Sequence, residues 1–148
     1  MIKIFHKTAS TFWKIAKPVT VGVRILLLKN DEILLVKHTY SESWFLPGGG
    51  LKKGETFQQG IERELKEELG VLVTELQLHG VYNNFFEGKN DSIIVFLSEN
   101  FSEPTKKDRE IEHFGYFKLN DLPPKTSPGT KNRIAEFLHG KTKNFGSW

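Results

Sequence analysis

The sequence predicts an α/β protein in which a mixed β-sheet is flanked by helices. Segments rich in β-branched and aliphatic residues, such as 19–28, are typical of strands. Two segments, 56–69 and 128–138, carry apolar residues at the spacing of a helix face. Strands and helices do not alternate regularly along the chain, and this favours a mixed sheet over a wholly parallel one.

The composition is that of one ordinary globular domain. The chain has 148 residues, 38% of them hydrophobic and 26% charged, which supports one core but not two. It contains no cysteine, so disulfides, thiolate metal sites and cysteine nucleophiles are excluded. No apolar run approaches the ~20 residues that cross a bilayer. The net charge of +3 permits anionic ligands without requiring nucleic acid.

Turn residues separate the predicted elements. In chain order, the predicted elements are a hairpin of strands 19–28 and 33–36 around a turn at 30–31, an extended piece at 44–46, a Pro-Gly loop at 47–50, a helix at 56–69 closed by Gly70, strands 76–86 and 92–97 around 88–90, a loop at 101–109, a strand at 114–119 and a helix at 128–138.

The two ends of the chain differ from its centre. Apolar residues recur every three or four positions in 1–17 and lysines lie off that stripe, so we predict a basic amphipathic helix that ends at Pro18. It packs on the domain, on a partner subunit or on a membrane surface. Charges in this segment argue against a signal peptide, so we predict a cytoplasmic protein. The basic tail 141–148 is predicted to be mobile, which leaves 18–140 as the main domain.

Three carboxylates share one face of the helix predicted at 56–69. Glu64, Glu67 and Glu68 stand at i, i+3 and i+4 and span about 100° of the helix circumference, next to its apolar stripe. Like charges at these spacings repel, more strongly at a partly dry edge. A hard divalent cation, Mg²⁺ or Mn²⁺, would neutralise them.

A solvated helix face is the alternative interpretation. Arg63 with Glu67, and Glu62 with Lys66, form i, i+4 pairs of opposite charge. The spacing around the helix favours the metal site. The stretch 49–71, GGLKKGETFQQGIERELKEELGV, matches the signature of the Nudix hydrolases at every specified position. The segments 44–50 and 116–123 also resemble that family, and the likeness extends over about 18–138.

The resemblance implies an α/β/α sandwich and hydrolysis of a nucleoside diphosphate linked to another moiety, with water attacking phosphorus. It also implies site residues. The metal ligands would be Glu64, Glu67, Glu68 and the Gly49 carbonyl, with Glu55 near the metal and Arg63 orienting a glutamate of the motif. The general base would be a glutamate of the motif, Glu64 or Glu67, or one from a later loop. A loop glutamate would serve as base or as an extra ligand, and Glu110 fits best with Glu112 second, or both are solvated loop charges.

Substrate contacts are predicted outside the motif. Arg24 interrupts an apolar strand and would contact a phosphate, or it is a surface charge on an edge strand. Asn84 and Phe86, with their neighbours Asn83 and Phe85, would read and stack on a base, or the aromatic residues belong to the core.

These observations predict a Mg²⁺-dependent pyrophosphohydrolase for a small nucleotide, with Mn²⁺ as the alternative ion. Two other interpretations stay open: removal of pyrophosphate from RNA 5′ ends, and a non-catalytic nucleotide-binding module. We expect a small-molecule partner and no nucleic acid. Homodimer formation and weak membrane contact of 1–17 are the further contacts considered.

Overall fold

The computed structural model describes residues 19–148, so the helix predicted at 1–17 lies outside the described residues. The strands are β1 Val19–Lys29, β2 Glu32–His38, β3 Trp44–Phe45, β4 Gly48–Gly50, β5 Gln77–Phe86, β6 Lys89–Ser98, β7 Ile111–Lys118 and β8 Asn144–Ser147. The helices are α1 Phe57–Leu69 and α2 Pro128–Leu138.

The long strand β1 organises the sheet. The strand order is β3-β2-β1-β6-β5-β8, with β4 also paired to β1 and β7 to β2. β1 runs parallel to β6 and antiparallel to β2 and β4, so the sheet is mixed as predicted.

Successive side chains of β1 point to opposite faces of the sheet and pack into two hydrophobic cores, one on each face. Val23, Ile25 and Leu27 pack against the apolar stripe of α1. Leu26 and Leu28 pack in a second cluster that includes Ile134 of α2. One helix therefore covers each face, which confirms the α/β/α sandwich.

Helix α1 has strong local signals at both ends. The Thr56 side chain caps the first turn and accepts from the Gln59 backbone N–H, while the Gln59 side chain accepts from the Thr56 backbone N–H. Gly70 ends the helix in the left-handed region with φ 65°. Buried Ile61, Leu65 and Leu69 fix which face of α1 meets the sheet.

The prediction of a loop at 47–50 is wrong for its last three residues. Gly48, Gly49 and Gly50 pair with Arg24, Val23 and Gly22 of β1. Glycine has a low intrinsic preference for strands, but a strand is decided by its partner, and glycine allows close approach of another backbone.

The prediction of a mobile tail is also wrong. β8 adds to the sheet in parallel with β5, with Gly80 opposite Asn144 and Asn83 opposite Ser147. Backbone pairing with an available sheet edge leaves little trace in side-chain pattern. The division of the chain at 17/18 and 140/141 stays a prediction from the sequence.

Residues 19–148 contain no helix that is both long and apolar enough to span a membrane.

A polar cluster connects β5 with α2. The carboxylate of Glu136 accepts a hydrogen bond from the Tyr82 hydroxyl at 2.6 Å and pairs with Arg133 at 3.0 Å. The His79 ring lies 3.1 Å from the same carboxylate. Burial lowers the pKa of His79, and nearby Arg133 lowers it further, although Glu136 opposes both effects. Burial would raise the pKa of Glu136, but bonds from Tyr82 and His79 and the charge of Arg133 lower it overall.

This cluster predicts a loss of stability on acidification. His79 is disfavoured as a cation in the fold, so the unfolded chain takes up more protons as pH falls through about 6.5. Protonation of Glu136 removes further stability only below its ordinary pKa. We expect the Tm of H79Q to fall less than that of the wild type between about pH 7.5 and 5.5. The difference should be a few degrees, since 1 kcal/mol shifts Tm by about 2–4 °C at this size.

The matched control is H139Q, because His139 is an exposed histidine of the same region. Its Tm should follow the wild-type pH dependence in differential scanning calorimetry. Equal pH slopes for H79Q and the wild type would contradict the assignment to His79.

Candidate active site

The acidic face of α1 lies against the glycine strand β4. Glu68 is 8% exposed, and its Oε2 accepts a hydrogen bond from the Gly48 backbone N–H at 3.3 Å. The Glu64 carboxylate packs so closely on Gly49 that a Cβ at position 49 would overlap it. Glu67 is more open, with 53% of its side chain exposed. Two of the three predicted carboxylates are therefore fixed against backbone.

Arg63 contacts three of the carboxylates at this site. Its Nε and Nη2 donate to the two carboxylate oxygens of Glu55, and its Nη2 also donates to the Gly50 carbonyl at 3.0 Å. Its Nη1 lies 2.9 Å from Glu64 Oε1 and 3.3 Å from Glu67 Oε2. The hydrogen bond from Arg63 holds the pKa of Glu55 at about 2. Arg63 therefore contacts Glu55, Glu64 and Glu67 at once, and its role in orienting a glutamate of the motif stays a prediction from the resemblance.

The surroundings of Glu68 disfavour the ionised form of its side chain. Burial raises its pKa to about 8, and the charges of Glu64 and Glu110 add to that shift. The Gly48 N–H and the charge of Arg24 act in the opposite direction. Glu64, Glu110 and Arg24 are thus close enough to Glu68 to interact electrostatically, although they come from three separate parts of the chain.

Two residues beside this group were missed by the sequence analysis. His38 is 9% exposed, and its Nδ1 has no hydrogen-bond partner within residues 19–148. Its ring stacks on Tyr40, with centroids 5.0 Å apart and an interplanar angle of 10°. Burial lowers the pKa of His38, and the charge of Arg24 lowers it further. No local sequence signal marks this pair, because the end of β2 and the loop after it are brought to the site only by tertiary packing.

Three other residues that the sequence analysis predicted for the site, Glu112, Asn84 and Phe86, are placed differently from the group around Glu68. Glu112 pairs with Lys37 at 3.1 Å, and it is Glu110, not Glu112, that influences Glu68. The strand register places Asn84 and Phe86 on the face of the sheet that also carries Arg24. Both lie towards the far end of β5, and Phe86 is 61% exposed.

The residues around Glu68 fit a hard divalent cation by their chemistry. Carboxylate and carbonyl oxygens are the ligands that Mg²⁺ and Mn²⁺ prefer, and the buried Glu68 carboxylate calls for a compensating positive charge. Within residues 19–148, no group of three or more His, Asp or Glu side chains is already arranged as a metal site. Arg63 is the cation that contacts Glu64 and Glu67 in this arrangement.

Comparison with known proteins identifies the class that this fold and site define. The family model described as "NUDIX domain" matches residues 17–137. The chain therefore belongs to the Nudix hydrolase family, an enzyme family that generally uses divalent metal ions. The resemblance inferred from the 49–71 motif is confirmed.

Two relatives with different named activities each match most of this chain. An ADP-ribose pyrophosphatase of Methanocaldococcus jannaschii is 29% identical over 126 residues, 82% of this chain and 75% of that protein. The mouse 8-oxo-dGDP phosphatase NUDT18 is 34% identical over 126 residues, 80% of this chain but 36% of that protein. A crystal structure of a MutT NUDIX hydrolase from Burkholderia pseudomallei superposes with a TM-score of 0.74 at 28% identity, covering 80% of this chain and 97% of that one.

Proposed function

We propose that this protein is a Mg²⁺-dependent pyrophosphohydrolase that cleaves the pyrophosphate bond of a small nucleotide. Mn²⁺ is the alternative ion. The observation that carries the proposal is the placement of Glu64 and Glu68 against β4, with Arg24 and Glu110 within electrostatic reach of Glu68. Acidic groups for a cation and a basic group for a phosphate thus occur in one place.

The cation would be held by Glu64, Glu67 and Glu68 together with the Gly49 carbonyl. When bound, such an ion screens the negative charge of a pyrophosphate and lowers the pKa of a water molecule. Glu55 is occupied by Arg63, so we assign it the task of holding Arg63 rather than contacting the ion directly.

The reaction requires a base and a group that binds phosphate. A water oxygen forms the new bond to phosphorus, and the bridging oxygen leaves with the electron pair of the broken bond. We propose that Glu110 takes the water proton, with Glu67 or Glu64 as alternatives. Glu110 is favoured because Arg63 already binds Glu64 and Glu67. Arg24 would contact a phosphate oxygen, since a guanidinium matches phosphate geometry.

The substrate class follows from the pyrophosphate chemistry and from the relatives. Nucleoside triphosphates, ordinary or modified, are the leading candidates, and nucleotide sugars come next. The relatives named above are an ADP-ribose pyrophosphatase and an 8-oxo-dGDP phosphatase, so membership of the family alone does not select the substrate. Cytoplasmic location, homodimer formation and membrane contact of 1–17 stay predictions from the sequence.

A substrate panel tests this proposal. The wild-type protein, supplied with Mg²⁺ or Mn²⁺, is expected to release a nucleoside monophosphate from at least one small nucleotide, and excess EDTA should abolish the release. Products from ¹⁸O-labelled water should carry the label on phosphorus. Binding of nucleotides without hydrolysis of any would favour the binding module. Faster hydrolysis of 5′-triphosphate RNA than of free nucleotides, weakened by salt, would favour the RNA enzyme.

A further inference from the structure

The residue that follows β8 lies beside a predicted substrate residue. β8 pairs in parallel with β5, with Tyr82 opposite Gly146 and Asn83 opposite Ser147. The backbone N–H of Trp148 donates to the Asn83 carbonyl at 3.0 Å. Continuing this register places Trp148 next to Asn84, and strand alternation directs both side chains to the face shared by Tyr82.

The indole of Trp148 is held from two sides. It meets the Tyr82 ring edge-on, with centroids 6.0 Å apart and an interplanar angle of 70°. The guanidinium carbon of Arg133 lies 5.2 Å from the Trp148 ring centroid. Gly129, at the start of α2, leaves the room that the indole fills, because a Cβ at that position would overlap it. Trp148 nevertheless remains partly exposed.

The same face of the sheet continues towards the pyrophosphate end of the site. Gly22 and Arg24 of β1 lie on it, with Gly22 in register with Ile93, which in turn is opposite Tyr82. No side chain projects at Gly22, and a Cβ there would meet its nearest heavy atom only at 3.7 Å. Gly22 therefore leaves space on β1 next to Arg24, and Ile93 and Tyr82 lie between this space and the β8 segment that leads to Trp148.

We propose that Trp148 contacts the nucleoside of the substrate. The inference rests on the proposed function, and it adds a specificity-determining residue to it. When Arg24 binds a phosphate, the nucleoside extends over Gly22 towards the indole of Trp148. The Asn84 side chain then lies where it can hydrogen-bond with the edge of the base. Base–aromatic contacts respond to alanine substitution by about tenfold to a hundredfold in affinity.

The kinetic test compares W148A with F145A. Phe145 belongs to the same segment, faces the opposite side of the sheet and is 88% exposed, so it controls for changes in the segment as a whole. W148A is expected to raise KM for the best nucleotide substrate by about tenfold or more, with kcat changed much less. W148F, which keeps an aromatic face, should recover most of the loss. F145A should behave as the wild type.

Fluorescence titration with a nucleoside 5′-monophosphate provides a second readout that does not depend on turnover. The chain has three tryptophans, so the fluorescence of W148F measures the contribution of the other two. We expect quenching in the wild type to exceed that in W148F. G129A, which displaces the indole without removing it, should raise KM in the same direction as W148A.

The outcomes separate this inference from the proposed function. Wild-type hydrolysis with equal KM values for W148A and F145A would overturn the role of Trp148 and leave the function intact. A lower Tm for W148A without a change in KM or quenching would show a structural role and would also overturn it. Failure of the wild type to hydrolyse or bind any nucleotide would overturn both.

Discussion

Glu68→Gln is expected to lower kcat by on the order of 10²–10³-fold while the fold remains intact. Glutamine keeps the shape of the side chain and an oxygen that can accept from the Gly48 N–H, but it cannot supply the negative charge for a cation. Because burial raises the pKa of Glu68 to about 8, a neutral side chain suits the metal-free fold. The Tm of E68Q in EDTA should therefore equal or exceed that of the wild type.

The matched control is E62Q. Glu62 lies on the same helix and accepts a hydrogen bond from the exposed Gln58 side chain at 2.9 Å, away from β4. Steady-state kinetics on the best substrate of the panel should show E62Q within about twofold of the wild type, as expected for a surface change. Near-normal turnover in E68Q would remove Glu68 from the catalytic site.

Arg63→Ala is expected to have the second largest effect. Removing the guanidinium frees Glu55, Glu64 and Glu67 together and leaves the Gly50 carbonyl without its donor. Partners that orient metal ligands typically contribute about 10–100-fold to metal affinity or activity. We expect the Mg²⁺ concentration for half-maximal rate to rise by that factor, with a smaller change in KM for nucleotide at saturating Mg²⁺.

The comparison with R63K identifies geometry as the cause. Lysine keeps the charge but cannot make the paired contact with both oxygens of Glu55, so it should restore only part of the Mg²⁺ dependence. Full recovery in R63K would show that charge alone is needed. A Mg²⁺ requirement that is unchanged in R63A would contradict the positioning role.

Local sequence signals were sufficient for α1 and for its acidic face. Thr56, Gln59 and Gly70 set the ends of the helix through capping contacts within a few residues. The apolar stripe then determines which side meets the sheet, and this fixes the direction of Glu64 and Glu68. For this reason the boundaries and the carboxylate face of the helix could be predicted from spacing alone.

Long-range pairing explains what the sequence analysis missed. β4 consists of three glycines and β8 of a short polar stretch, so neither carries the side-chain pattern of a strand. Each is created by a partner strand that is distant in sequence. The His38–Tyr40 stack and the contact of Trp148 with Tyr82 depend in the same way on tertiary packing.

Calorimetric titration of Mn²⁺ into the wild type and E68Q, each with a nucleoside monophosphate present, tests the central claim most directly. The carboxylates of α1 are proposed to bind the divalent ion that turnover requires. The wild type should bind Mn²⁺, and E68Q should bind it at least about tenfold more weakly. Equal Mn²⁺ affinity in the two proteins, or no binding by the wild type, would contradict the claim.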